Sequence, residues 1–254
     1  MPLVATPAII LHVMPYSETS KIVRLLARDL GLQSAIAKGA RRAKSRTGPR
    51  LDLFAAGTAT LTMKGHRELN PLTSFDITSA HAGLSHDVTR FASASALAEL
   101  ALKCVPAEPH PEVFDAASAG LDAIEHAPTE LLETAALVAC WGLVVALGFS
   151  PTLDRCAVCG APTEGAIRFS AVQGGALCAN HGTEAPNVTR LKRPDREALA
   201  ALIAGRLPEA ALDPRHAAAH RKLLMAFVRH HLAEDRPLPA LAFWDAESWN
   251  ATSS

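Results

Sequence analysis

A chain of 254 residues, 49% of them hydrophobic, can bury a sizeable core, which excludes global disorder and leaves room for two compact units. Its formal charge is zero, but the balance is uneven: residues 1–80 hold 11 Lys and Arg against 5 Asp and Glu, and the remainder holds 14 against 20. An acidic partner is therefore expected at the N-terminal third. Five cysteines, an odd number with one Cys-x-x-Cys pair, suit a reducing cytosol better than a disulfide scaffold. Met1 to Ala5 lacks the cationic start and long apolar run of a signal peptide. The longest apolar run, Ala135 to Phe149, falls short of the roughly 20 residues that span a bilayer. A cytoplasmic protein is the expectation.

Residues 1–80 read as a small β-domain. Ala8 to Val13 is a strand-like run, and Ser20 to Arg28 and Leu32 to Lys38 are two more, joined by a hairpin turn at Asp29-Leu30-Gly31. Leu51 to Phe54 and Gly57 to Met63 resume the β pattern, with Thr58, Thr60 and Thr62 alternating against Ala59, Leu61 and Met63. Lys64-Gly65-His66 turns the chain into a last strand near Leu72 to Ile77. Five short strands predict a small closed barrel of the oligonucleotide-binding (OB) type, and an SH3-like barrel fits the same strand count.

Between the third strand and the next lies the segment Lys38 to Arg50. Lys38, Arg41, Arg42, Lys44, Arg46 and Arg50 give it six cations and no carboxylate. Gly39, Gly48 and Pro49 stop it from continuing as a helix or strand, so it reads as an exposed loop. Such a loop is of use to a polyanion, and the commonest in a cell is phosphate backbone. The plainer reading is a solvated charged loop with no ligand.

From Leu84 the hydrophobic period changes to 3.6, and residues 81–250 read as a helical domain. Leu84, Val88, Phe91, Ser95, Ala98, Leu102 and Val105 draw one helical stripe, which Pro106 ends. A second helix runs from Glu112 to about His126. A third opens at Pro128-Thr129-Glu130 and closes in the apolar run through Trp141; apolar on every face, it should lie at the centre. Cys104 and Cys140 fall inside these helices as buried thiols. Two helices return late in the chain, one starting at Asp213-Pro214 and reaching about Leu232. On it, His216 and His220 stand four apart; without a glutamate after His216 they read as two solvated histidines rather than a metal pair. Phe243, Trp244 and Trp249 are placed to pin the tail onto the body.

Residues 151–186 interrupt the helices. Cys156-Ala157-Val158-Cys159-Gly160 is followed, with eighteen residues between Cys159 and Cys178, by Cys178-Ala179-Asn180-His181. Two residues between ligands let a tight turn aim both side chains at one point, and Gly160 permits the reversal. Ala166 to Phe169 and Gly174-Gly175 suggest a hairpin that brings the second pair beside the first. Cys156, Cys159, Cys178 and His181 fill four tetrahedral positions, which predicts a structural zinc ion with no open site for water. A redox Cys-x-x-Cys and unligated surface cysteines are the competing readings, and the second pair argues against both.

Several segments together resemble the RecO family of bacterial recombination and DNA-repair mediators, over nearly the full length. They are the barrel with Lys38-Gly39-Ala40-Arg41-Arg42, a helix with Asp87, Arg90, Phe91 and Glu99-Leu100, then Glu108-Pro109-His110-Pro111, and Leu147 to Gly160 with its Leu-Asp-Arg-Cys knuckle. The resemblance implies an α+β protein: an N-terminal five-stranded OB-fold β-barrel, then an α-helical domain with a zinc-knuckle insertion. It implies binding of single- and double-stranded DNA, strand annealing, and help for RecA in displacing single-strand DNA-binding protein after DNA damage. RecR, RecF and single-strand DNA-binding protein are the implied partners, in a cytoplasmic, nucleoid-associated setting. His181 stands where other members have cysteine. Lys38, Arg41 and Arg42 carry over as DNA-contact candidates; Lys44, Arg46 and Arg50 join them on charge alone.

No Walker loop, Gly-x-Ser-x-Gly elbow or carboxylate cluster with metal spacing stands out, so a non-enzymatic function is expected. Asp52, Asp76 and Asp87 read as caps or surface charges. Two other functions compete: an OB-fold RNA or ribosome-associated module, and, behind it, a metal-dependent nuclease using the knuckle histidine.

Overall fold

The computed structural model describes residues 2–42, 48, 51–63, 69–106, 108–209, 212–233 and 236–246. The first strand, β1 (Leu3–Pro15), is longer than its apolar run predicts. Ala8, Ile9, Ile10 and Leu11 are all buried, although successive side chains of a strand point to opposite faces. The explanation is two cores. Ala8 and Ile10 point into the barrel with Val23, Leu25, Leu61 and Phe75. Ile9 and Leu11 point outward into the core of the helical region.

The remaining strands are β2 (Lys21–Ala27), β3 (Gly31–Ala37), β4 (Ala56–Thr62) and β5 (Leu69–Ser79). They close in the order β1-β2-β3-β5-β4, with β4 pairing back onto β1 and a single parallel contact between β3 and β5. That order is the OB arrangement. Along β4 the predicted alternation holds, with Ala59 and Leu61 buried and Thr58, Thr60 and Thr62 more accessible. The β1–β2 register shifts between Ile10 and His12, a bulge that bends the long first strand.

Residues 51–54 are not the strand their pattern suggests. Phe54 adopts a left-handed conformation with φ 69° and reverses the chain. Its N–H donates to the Ile10 carbonyl at 2.8 Å, while the Ile10 N–H donates to Ala55 at 2.9 Å. The reversal also turns the Phe54 ring outward from the barrel, edge-on to Phe91 at 5.7 Å. The turn expected at Lys64-Gly65-His66 lies outside the described residues, as does Trp249.

Beyond the barrel come α1 (Val88–Cys104), α2 (Pro111–His126) and α3 (Leu132–Ala146). Asp87 caps α1 by accepting the Arg90 N–H at 2.7 Å. In α3, Leu137, Cys140, Trp141 and Leu143 are fully enclosed, in keeping with its apolar faces. Thr129–Ala146 has a mean hydropathy of 1.5 and the length to cross a membrane, contrary to the sequence estimate, but it is the packed centre of the helical core. Cys140 is buried as expected, and Cys104 is only partly so.

A three-stranded sheet follows, of β6 (Ile167–Ser170), β7 (Gly175–Leu177) and β8 (Thr189–Leu191) in the order β7-β6-β8. The short helix α4 (Ala179–Glu184) stands between β7 and β8. The chain then adds α5 (Arg193–Ile203), α6 (Pro214–His231) and α7 (Pro239–Asp245). Trp244 is fully buried and pins α7, whereas Phe243 stays half exposed. The histidine pair of α6 corrects the sequence reading. His216 is held on the surface by Asp213 at 2.8 Å, but His220 is buried, because its face of the helix enters the core.

Polar contacts fasten barrel to helices. The buried His81 ring meets the Phe54 carbonyl through Nδ1 at 2.8 Å and Asp122 through Nε2 at 2.9 Å. Arg28 donates twice to Asp115, at 3.0 and 2.9 Å. These join β2 and the Phe54 turn to α2.

Candidate nucleic-acid interface and metal centre

The basic segment leaves the barrel at the end of β3. Gly39 takes φ +72°, a left-handed turn that a side chain would strain. The turn then closes with Arg42 N–H donating to the Gly39 carbonyl at 3.1 Å. Arg41 is anchored twice on the β1–β2 turn: its N–H donates to Thr19 at 3.0 Å and its guanidinium to the Ser17 carbonyl at 2.7 Å. The return limb is held by Lys21, whose Nζ donates to the carbonyls of Gly48 and Leu51 at 3.1 and 3.3 Å.

Lys38, Arg41 and Arg42 are exposed, and among the described residues none of the three meets a carboxylate. Lys44, Arg46 and Arg50 lie outside the described residues. The anchoring fixes where the cations leave the barrel while their charge stays open to solvent. Tyr16, 60% exposed, stands next to Ser17, whose carbonyl receives Arg41. The other two barrel aromatics, Phe54 and Phe75, are buried, so base stacking has little to work with at this surface.

At the knuckle the four predicted side chains converge. Their ligand atoms all lie within 4.8 Å of one another. The Cys178 sulfur is 3.3 Å and the Cys156 sulfur 3.6 Å from His181 Nδ1, and the Cys159 and Cys178 sulfurs are 3.9 Å apart. A tetrahedral ion with sulfur at about 2.3 Å and nitrogen at about 2.0 Å spaces its ligand atoms by about 3.5–3.8 Å. The group can therefore hold a metal ion and is compatible in size and donor type with zinc.

Local structure explains the convergence. Gly160, at φ +71°, turns the first pair, and the Cys156 N–H donates to Ala161 at 2.7 Å. Residues 156–157 are tied to the sheet where Ala157 N–H donates to Ala176 at 2.8 Å. The second pair straddles the start of α4, directly after β7. Burial opposes ionising the Cys156 thiol, but N–H groups of Cys178, Cys159 and Val158 outweigh it and bring the thiol to about 6. The His181 N–H and ring lower Cys178. The Ala161 N–H favours the Cys159 thiolate, yet neighbouring sulfurs and burial hold that thiol above its ordinary range. Thiolates gathered this way attract a cation, and the His181 imidazole is itself raised by Cys178 and then Cys156.

Four residues that carry the sequence resemblance turn out to be scaffolding. Arg90, buried on α1, donates to the carbonyls of Ile124, Glu125 (2.8 Å) and Ala127 (3.0 Å), closing the C-terminal end of α2. Asp87 caps α1 and Phe91 packs on Phe54. Glu99 accepts the Leu241 N–H at 2.9 Å and so holds α7. A second cluster, His81, Asp122 and Glu125, also brings its ligand atoms close together. Its groups are engaged with Phe54 and Gly83, which makes it part of the junction.

Comparison with known proteins covers nearly the full length of the chain. The family model "Recombination protein O N terminal" matches residues 1–81, and "Recombination protein O C terminal" matches residues 85–240. The chain is 37% identical over 242 residues to the DNA repair protein RecO of Anaeromyxobacter dehalogenans (strain 2CP-C), covering 93% of this chain and 94% of that one. Identity to the RecO protein of Rubrobacter xylanophilus is 33%, across 93% and 94% of the two chains. With that of Bifidobacterium animalis subsp. lactis it is 31%, across 96% and 100%.

Proposed function

Because the chain belongs to the RecO family of DNA repair proteins, we propose that it is a non-enzymatic recombination mediator that grips DNA through the basic loop of its barrel. The observation that supports this most is the exposed triad Lys38, Arg41 and Arg42, which meets no carboxylate among the described residues and is anchored through Arg41 to the β1–β2 turn of an OB barrel. Lys44, Arg46 and Arg50 extend the cationic set on the same loop. In this reading residues 1–80 are the DNA-binding domain and residues 81–250 the bracing and docking domain. Binding is charge neutralisation with little stacking, which leaves bases free to pair and so favours strand annealing.

Cys156, Cys159, Cys178 and His181 would hold one zinc ion, whose contribution is structural: four protein ligands leave no position open for chemistry. The partners are single- and double-stranded DNA, RecR, single-strand DNA-binding protein, and RecF and RecA, in the cytoplasm at the nucleoid. An RNA-binding role is the competing use of the same loop; competition of RNA against single-stranded DNA at matched salt separates the two.

The test is salt dependence. Six phosphate contacts on a single strand give a log–log slope of about −4. Replacing Lys38, Arg41, Arg42, Lys44, Arg46 and Arg50 with alanine should flatten that slope and weaken binding. Unchanged affinity and slope would refute the loop as the site. Annealing of strands coated with single-strand DNA-binding protein, with and without RecR, then tests the mediator role.

A further inference from the structure

The sheet beside the knuckle has two unlike faces. Ile167, Phe169 and Leu191 point inward and belong to the same core as Trp141. The alternate residues Arg168 on β6 and Arg190 on β8 point out, and they are direct cross-strand partners. Both are exposed, and among the described residues neither meets a carboxylate. Facing partners on neighbouring strands hold their Cβ atoms about 4.5–5.5 Å apart, and like charges so placed destabilise a sheet. A structural role does not account for two arginines kept in opposition on a rigid surface.

The surroundings hold the pair in place. Gly182 of α4 packs on the Arg168 stem so closely that a Cβ there would lie 2.7 Å from Arg168 Cδ. Arg196 donates to the carbonyls of Thr163 (2.9 Å) and Gly165 (3.3 Å), which ties down the loop before β6. Both arginines line a cleft of about 470 Å³, with Thr163 and the exposed Glu164 also on its lining. Among the described residues Glu164 is the only carboxylate of that lining, and it makes no described ion pair with either arginine. Two forked donors a strand apart, neither of them paired with Glu164 among the described contacts, match the oxygens of a phosphodiester.

We infer that Arg168 and Arg190 form a second phosphate-binding site for the nucleic-acid backbone, carried by the knuckle sheet and separate from the barrel loop. The inference rests on the DNA-binding reading above. It gives the knuckle a task in binding: the fold of the metal-tied segment positions the sheet that carries the arginines.

The experiment compares single-stranded oligonucleotide binding across salt for the wild type, the six-alanine loop variant, and Arg168→Gln/Arg190→Gln, each with its zinc content and melting temperature. Loss of two phosphate contacts should reduce the single-strand slope by about 1.4, additively with the loop variant. Melting should stay level or rise as the opposed charges go. If the double variant loses zinc or melts early, Arg190→Gln alone serves, with a slope reduced by about 0.7. A wild type that does not bind overturns both this site and the DNA-binding reading. A binding wild type whose slope survives either arginine replacement overturns this site alone.

Discussion

Replacing Arg90 with methionine keeps the stem and removes the guanidinium from between α1 and α2. The guanidinium serves three carbonyls: Ile124, which is buried, and Glu125 and Ala127, which are partly so. Carbonyls in the last turn of a helix have no partner within it, so an outside donor is what satisfies them here. An orphaned buried acceptor costs about 1–3 kcal/mol, and the two at the rim lose a charged donor but regain water, at about 1 kcal/mol each. Arg90→Met should therefore cost about 3–5 kcal/mol. For a chain of this size that lowers the melting temperature by about 6–20 °C. Urea or thermal unfolding followed by circular dichroism measures it, with Arg90→Lys expected to recover part of the loss. A cost under about 1 kcal/mol would mean that water replaces the guanidinium freely, and the account of Arg90 as the closure of α2 would fail.

Other outcomes are as definite. His181→Ala should lose the bound zinc equivalent measured by metal analysis and destabilise the knuckle, while His181→Cys should retain it; zinc content unchanged in His181→Ala would exclude the histidine as a ligand. Burial lowers the His220 imidazole to about 4, against an ordinary 6.5. The unfolded chain then takes up a proton that the folded one refuses, so stability falls as pH drops from about 6.5 to 4, by about 3 kcal/mol. A His220→Gln variant should lack that component, and an identical pH profile in wild type and variant would refute it. Lowering the pH further should loosen the Arg28–Asp115 link, because Arg28 holds the Asp115 carboxyl below its ordinary range; Asp115→Asn should remove this acid sensitivity at the barrel–helix junction in hydrogen exchange.

The parts legible in sequence were those whose chemistry is local. Cys156, Cys159, Cys178 and His181 announce themselves by spacing alone, and the alternation of β4 is that of a strand with one face in a core. Ala8 to Leu11 reads as an unbroken apolar run because its two faces enter different cores, which no local pattern separates. Leu51 to Phe54 has strand-like composition, but a contact with Ile10, forty-four residues away, accompanies the left-handed turn at Phe54. His220 reads as solvated for the same reason: the packing of α6, not its charge pattern, buries it. The three-residue strand β8 falls beyond the expected end of the knuckle at 186, and with it the opposition of Arg168 and Arg190.

A first strand with one row of side chains in each hydrophobic interior denies the barrel an independent existence. Residues 1–81 cut free would lay Ile9, Leu11, Leu26 and Phe54 open to water, and such a fragment should clump or borrow a cover from another molecule. Any force that pries the barrel from the helices must wet the same seam, so the basic barrel surface and its helical brace move together.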